Sequence, residues 1–154
     1  MQPVRIFTPE NRLARALRSD GPSHESLIAD ADRRVLALAD KIRAFVGERI
    51  AQITPYADRS EDDLFAGCRD ISGPALDIAE VAAAAGLHAV AAIARGVCVM
   101  LDGLVTLGVW HTEAMCIHLR ALRLVGDWTS SSGDDDHRIV ADLLDLRRSI
   151  GLAE

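Results

Sequence analysis

The sequence predicts an all-α protein, an antiparallel bundle of four or five helices. Only 4% of its 154 residues are aromatic, whereas Ala, Leu and Arg, which favour helices, are abundant. Apolar residues recur at spacings of three and four along most of the chain, as on one face of a helix. The connections between these segments are short, which favours antiparallel packing of neighbouring helices.

An N-terminal arm and a long helix are predicted to open the chain. Residues 1–23 form the arm, whose short helix over residues 9–18 has Thr8 as its N-cap. The long helix covers residues 26–53 and ends before Pro55. Its apolar seam has spacings of four or three: Leu27, Ala31, Val35, Leu38, Ile42 and Phe45. We expect residues 24–154 to form one helical domain.

A second helix is predicted to begin after Ser60, which precedes three acidic residues. A serine N-cap followed by acids suits the positive end of the helix dipole. The helix continues to Gly86, and Gly73 and Pro74 are expected to kink or divide it. Its apolar seam alternates spacings of four and three: Leu64, Cys68, Ile71, Ala75, Ile78, Ala82 and Ala85.

Three further helices are predicted, over residues 87–104, over residues 112–125, and from Asp134 onward. A run rich in turn-forming residues, 127–136, separates the last two. The predicted core positions of the three helices are Leu87, Val90, Ile93, Val97 and Leu101, then Met115, Leu119 and Leu122, and finally Ile139, Leu143, Leu146 and Ile150.

Composition argues against several classes of protein. The net charge of −6 disfavours nucleic-acid binding. The apolar stretch 86–103 is interrupted by Arg95 and built on Ala and Gly, so we do not expect a membrane span. The N-terminus has charges throughout and no apolar core of a signal peptide. The three widely spaced cysteines suit reduced core thiols, so we expect a cytoplasmic protein whose partners are proteins.

Residue patterns of known catalytic and metal sites are missing from the sequence. It contains no glycine-rich phosphate loop, CxxC pair, HExxH or GxSxG. On a helix, Cys116 points about 200° away from His118, and His111 lies two turns away, so a metal site there is disfavoured. The acidic cluster 134–137 is explained by a helix start, and the arginine pairs 33–34 and 147–148 by solvated faces. We expect no metal and no cofactor.

The segment LDIAEVAAAAGLHAVAAIARGVCVMLD, residues 76–102, carries a resemblance. It is similar to the central hairpin of histidine phosphotransfer (HPt) domains, whose pattern is H-x-[IL]-K-G-x-A-x-x-h-G-[LF]-x-x-L, where h is apolar. The positions that match this pattern are Ile78, Ala82, Ala85, Gly86, Leu87 and Val90. The resemblance implies an HPt-like bundle that acts in two-component signalling.

The chain departs from that pattern where phosphotransfer chemistry takes place. Leu76 stands at the position of the phosphorylated histidine, Ala79 at that of the lysine, and Glu80 at that of the small glycine. The resemblance therefore implies a non-catalytic module that docks a receiver domain or a chemotaxis kinase component. On the periodicity of the helix, the docking face would contain Arg69, Gly73, Leu76, Glu80 and Ala83, and the resemblance adds Ala79, which stands at the lysine position. Single exposed leucines are also common without a binding role.

The overall plan also resembles the CheE-type chemotaxis accessory proteins of alphaproteobacteria. The matching pieces are residues 82–87, Cys98 with the pair 101–102, and the segment HLRALRL, 118–124. Two alternatives stay open. One is an active phosphotransferase that uses a non-motif histidine such as His88, which we otherwise interpret as a surface or capping residue. The other is a structural oligomer, such as a homodimer, built on the Ala-rich helix.

Overall fold

A computed structural model describes residues 24–127 and 134–152 of the chain. These residues form an all-α helical bundle without strands, as the sequence predicts. The predicted arm with its short helix and residues 128–133 lie outside the described residues. The helices are α1 His24–Ile53, α2 Glu61–Ala66, α3 Cys68–Val81, α4 His88–Leu107, α5 Thr112–Asp127 and α6 Asp134–Ser149, with 3₁₀ segments at Thr54–Asp58 and Ala82–Ala85.

The chain divides into two compact units, residues 1–36 and 37–154, with the division inside α1. In the first unit the described residues are the N-terminal part of that helix. Their large apolar side chains are exposed: Leu27, Ile28, Val35 and Leu36. The predicted seam of α1 is therefore wrong in its first half. Helical periodicity places these side chains on shared faces, but it does not show whether another element covers them.

The second unit contains a core to which each of its helices contributes. Here α1 buries Val46, Ile50 and Ile53. This buried row is offset by one residue along the sequence from the predicted seam, which ran through Ile42 and Phe45. Helix α4 packs against α3, α5 and α6, and α5 packs against the first 3₁₀ segment. The predicted core positions of α3 to α5 are buried, except Cys68 and Leu87, which are half-buried and pack against the core. The largest fully buried apolar side chains of the core are Ile53, Leu64, Ile71, Ile78, Ile93, Met115, Leu119 and Leu122.

The start of α2 is capped as predicted, but the break that follows it lies elsewhere. The Ser60 Oγ accepts a hydrogen bond from the Asp63 N–H at 3.2 Å. The predicted division at Gly73–Pro74 is wrong, because α3 continues through both residues. The chain divides instead at Gly67, where the ring of Tyr56 occupies the space that a Cβ atom would need. Only tertiary packing reveals why a glycine is required there.

Helix α4 is the most apolar helix of the described chain. Its length and composition alone would allow it to cross a membrane, and half of its most apolar window is buried inside this bundle. Small and branched residues alternate on its enclosed surface: Val90, Ala91, Ile93, Ala94, Gly96, Val97, Met100, Leu101 and Gly103. The packing of three other helices against α4 accounts for this burial.

Gly86 forms the turn between α3 and α4. Its φ of 81° lies in the left-handed region, which side chains other than glycine adopt only at a cost. The Leu87 N–H donates to the Ala82 carbonyl at 3.0 Å and the Gly86 N–H donates to the Ala83 carbonyl at 3.0 Å. This pair of hydrogen bonds is the Schellman motif, which satisfies carbonyls at the helix end and reverses the chain.

We expect Gly86→Ala to lower the free energy of unfolding by about 1–2 kcal/mol, because the new Cβ destabilises a left-handed residue. Urea denaturation followed by circular dichroism measures the change. Gly47→Ala is the matched control, since Gly47 lies in α1 with open space where a Cβ would stand. That control should gain about 0.5–1 kcal/mol from helix propensity. Equal effects of the two substitutions would contradict this account of the turn.

Candidate functional site

The outward side of α3 exposes an apolar side chain. Ile71, Ala75 and Ile78 are completely buried, and they fix the inner side of the helix. Leu76 is displaced by about 100° from Ala75 around the axis, and 52% of its surface is exposed. The sequence-based orientation of Leu76 therefore agrees with the structure.

Four of the other predicted docking residues share this surface, and one does not. Arg69, Gly73 and Glu80 are exposed, and Ala83, in the following 3₁₀ segment, is half-buried. Ala79 is only 8% exposed and belongs to the core. We use the name α3 face for the residues that remain accessible: Arg69, Gly73, Leu76, Glu80 and Ala83.

Polar contacts hold α3 in place on its flanks. The Asp77 carboxylate pairs with Arg49 of α1 at 3.0 Å. The Tyr56 hydroxyl donates to the Asp70 carboxylate at 3.0 Å, and this bond is the main reason that the pKa of Tyr56 is raised. Arg43 donates to the Ala85 carbonyl at 3.1 Å. These contacts join α3 and the 3₁₀ segment that follows it to α1 and to the first 3₁₀ segment.

The α3 face contains no histidine. His88 is exposed in the first turn of α4, and its side chain does not cap the helix, so it is a surface residue. His111 and His137 are exposed as well. The residues of the α3 face therefore include no imidazole.

His118 is the completely buried histidine of the described chain. Its Nδ1 lies 2.8 Å from the Ala114 carbonyl oxygen, one turn earlier in α5, while its Nε2 has no hydrogen-bond partner among the described residues. Burial lowers the pKa of His118, and the nearby Arg147 guanidinium lowers it further. The imidazole is therefore neutral near pH 7, with Nδ1–H as the donor to Ala114.

Arg147 corrects a sequence-based interpretation. Arg147 and Arg148 were both expected on a solvated face, but Arg147 is only 5% exposed, whereas Arg148 is exposed and pairs with Asp145. The Arg147 guanidinium lies over Gly96 of α4, where a Cβ atom would overlap Nη1 and stand 3.0 Å from His118 Cδ2. Sequence reasoning missed this cluster. The one feature of the sequence that could have indicated it is Gly96, a glycine in the interior of a predicted helix where no turn requires one.

The cysteines of the described chain are free and half-buried. Burial raises the pKa of Cys68, Cys98 and Cys116, so their thiols are protonated and weakly nucleophilic at neutral pH. Among the described residues no group of three or more His, Cys, Asp or Glu side chains is placed to hold a metal ion.

The architecture defines the class of protein: a helical bundle that presents a solvent-exposed face on α3 and carries a buried arginine–histidine cluster behind α4. No protein-family model, no curated protein and no solved structure matches the chain.

We expect the stability of the protein to fall as the pH is lowered from about 7 to about 5. Unfolded His118 binds a proton near pH 6.5, whereas folded His118 has a lowered pKa and stays neutral. The unfolded state then binds more protons, so the free energy of unfolding decreases by up to about 1.4 kcal/mol per pH unit below about pH 6.5, until the pKa of the folded state is reached. Above about pH 7.5 the contribution is complete.

Urea denaturation at several pH values measures this slope, and His118→Leu should reduce it. His88→Gln is the control, because His88 is exposed in the first turn of α4. The same slope in the wild type and in His118→Leu would contradict a neutral, buried imidazole.

Proposed function

We propose that the protein is a non-catalytic binding module of chemotaxis or two-component signalling. It docks a response-regulator receiver domain, or a kinase component, through the α3 face. It acts by occupying the partner's surface and transfers no phosphoryl group. The observation that carries the proposal is Leu76, half-exposed at the position where the HPt resemblance places the acceptor histidine.

The chemistry of the α3 face supports binding rather than catalysis. A phosphoacceptor needs an exposed nucleophile and a nearby cation that holds the phosphoryl oxygens. Leu76 provides no nucleophile, and the Ala79 position supplies neither a cation nor an exposed side chain. Glu80 is exposed and adds a negative charge, which would repel a phosphoryl group.

The same features suit a protein partner. Leu76 offers an apolar contact that a partner would bury, and because about half of its surface is already covered, burying the rest contributes about 1 kcal/mol. The exposed Gly73, one turn away, has no side chain and lets a partner approach the helix closely. Arg69 and Glu80 lie on either side along the axis and provide charges for the rim of an interface, where polar groups stay in contact with water.

The alternative of a dimer built on the alanine-rich helix receives less support. Ala75 and Ala82 are completely buried, and α3 packs against α4 of the same chain. A second copy would therefore have to use another surface than these alanines.

We expect Leu76→Arg to weaken binding to a receiver domain by about 100-fold, because the apolar contact is lost and a charge must be desolvated. Isothermal titration calorimetry against receiver domains encoded in the same genome measures the affinity, and circular dichroism verifies the fold. Val105→Arg is the matched control, since Val105 is 83% exposed on α4, outside the α3 face. Unchanged affinity of Leu76→Arg would remove the α3 face from consideration.

Incubation with a receiver domain that carries labelled phosphate tests the enzymatic alternative separately. The proposal expects no label on the chain. Label that is retained by the wild type and lost in His88→Gln would show an active phosphotransferase and would overturn the hypothesis of a non-catalytic module.

A further inference from the structure

The first half of α1 exposes a row of large apolar side chains. Every residue from 25 to 38 is exposed, and more than half of the surface is open to water at Leu27, Ile28, Val35 and Leu38. A helix in a protein owes most of its stability to the packing of its apolar face. These residues receive little of that packing from the described part of the chain. Contiguous exposed apolar surface of this kind is typical of an interaction site.

The apolar residues of α1 follow a heptad repeat. They recur at alternating spacings of three and four, as in a coiled coil of two helices. We use the name α1 seam for this row: Ile28, Ala31, Val35, Leu38, Ile42 and Phe45. The last two are half-buried and pack against the core. The repeat ends there, because its next positions are Arg49 and Gln52. The seam therefore extends over about 26 Å of helix.

The ion pairs of α1 leave the α1 seam uncovered. Arg33 pairs with Asp30 at 2.7 Å, and Arg43 pairs with Asp40 at 2.8 Å. At about 100° per residue, these four residues lie about 130° or more from the centre of the seam. The row that a second helix would contact is therefore apolar along its length.

The residue types of the α1 seam indicate its occupant. β-branched residues at the first position of the heptad, together with Leu at the fourth, favour a parallel pair of helices. Ile28, Val35 and Ile42 stand at the first position. Leu38 stands at the middle one of the three fourth positions. A second copy of the chain presents the same residues in the same register, as a symmetric pair requires.

The charges that flank the α1 seam favour the parallel orientation as well. Arg34 and Lys41 lie on one flank, and Asp32 lies on the other. In an antiparallel pair equal flanks meet, so the basic residues of the two copies would repel each other. In a parallel pair the basic flank of each copy meets the flank of the other copy that carries Asp32. Charge and residue type therefore favour the same arrangement.

We propose that the α1 seam is a dimerisation surface, on which α1 forms a short parallel coiled coil with α1 of a second copy. Ile28, Val35 and Leu38 make the central contacts, each with the same residue of the other copy. A seam of this length gives an interface at the lower end of the size range of specific complexes, so the association is weak and reversible. The α1 seam shares no residue with the α3 face, so this inference does not depend on the proposed function.

Sedimentation equilibrium of the full chain between about 1 and 500 µM tests the proposal. We expect a monomer–dimer equilibrium with a dissociation constant on the order of 10 µM. Val35→Lys should raise that constant at least about tenfold, because two like charges would face each other in the seam. Circular dichroism verifies that the variant is folded.

Leu36→Lys is the matched control for Val35→Lys. Leu36 is the next residue of the same helix and is 63% exposed, whereas Val35 is 65% exposed. Leu36 lies about 130° from the centre of the α1 seam. The same new charge at this position should therefore leave the dissociation constant unchanged.

Disulfide cross-linking tests the parallel orientation. In a parallel pair Ala31 faces the same residue of the other copy, so Ala31→Cys should form an intermolecular disulfide. Oxidised glutathione is the oxidant, and it takes up the two electrons and two protons that the thiols lose. Arg33→Cys, on the opposite side of α1, is the control and should remain uncross-linked on a non-reducing gel. Both variants keep the native cysteines, so their background is the same.

Three results would overturn the proposal. The first is a monomer over the whole concentration range, which would leave the α1 seam to another segment of this chain or to a different protein. The second is a dimer that Val35→Lys weakens no more than Leu36→Lys does, which would place the interface elsewhere. The third is a dimer in which Ala31→Cys cross-links no more than Arg33→Cys, which would contradict the parallel coiled coil.

Discussion

Helix α4 is the most apolar helix of the second unit, and exposing its apolar surface to water would be unfavourable. The other helices of the unit are arranged so that they bury it. Three helices pack against α4, and the small residues along it allow close approach: Ala91, Ala94, Gly96 and Gly103. At Gly103 the space that a Cβ would need is filled by Leu152, which follows the left-handed residue Gly151 at the end of α6. The hydrophobic effect favours this enclosure in proportion to the apolar area removed from water.

The coverage of α4 also produces the surface on which the proposed function depends. Since α3 turns Ile71, Ala75 and Ile78 inward, its opposite side must face solvent, and Leu76 becomes accessible there. On the other side of α4, α6 brings an arginine rather than an aliphatic residue against Gly96. A buried guanidinium is costly unless other groups compensate for its desolvation, and Arg147 has further interactions within the chain.

The apolar periodicity of the sequence predicted where the helices lie, but it did not predict all the contacts and the burial of their residues. It predicted α3 to α6 and most of their core, because apolar spacing and capping residues such as Ser60 act locally. It misplaced the break in the second predicted helix, since the contact between Gly67 and Tyr56 joins residues that are distant in sequence. It also treated Leu27 and Val35 as core residues, although both are exposed. Of the predicted docking face, Leu76 agreed with the structure and Ala79 did not.

The sequence by itself determined that this chain is helical and where most of its helices begin and end. These properties depend on backbone propensity and on residue identity, which every short segment carries with it. Only the tertiary structure decided that Arg147 is buried while Arg148 is exposed, that His118 is neutral in the core, and that a cleft separates part of α4 from α6. The burial of a side chain and its protonation state depend on which distant segments of the chain pack against it, and a local sequence pattern contains no information about those contacts.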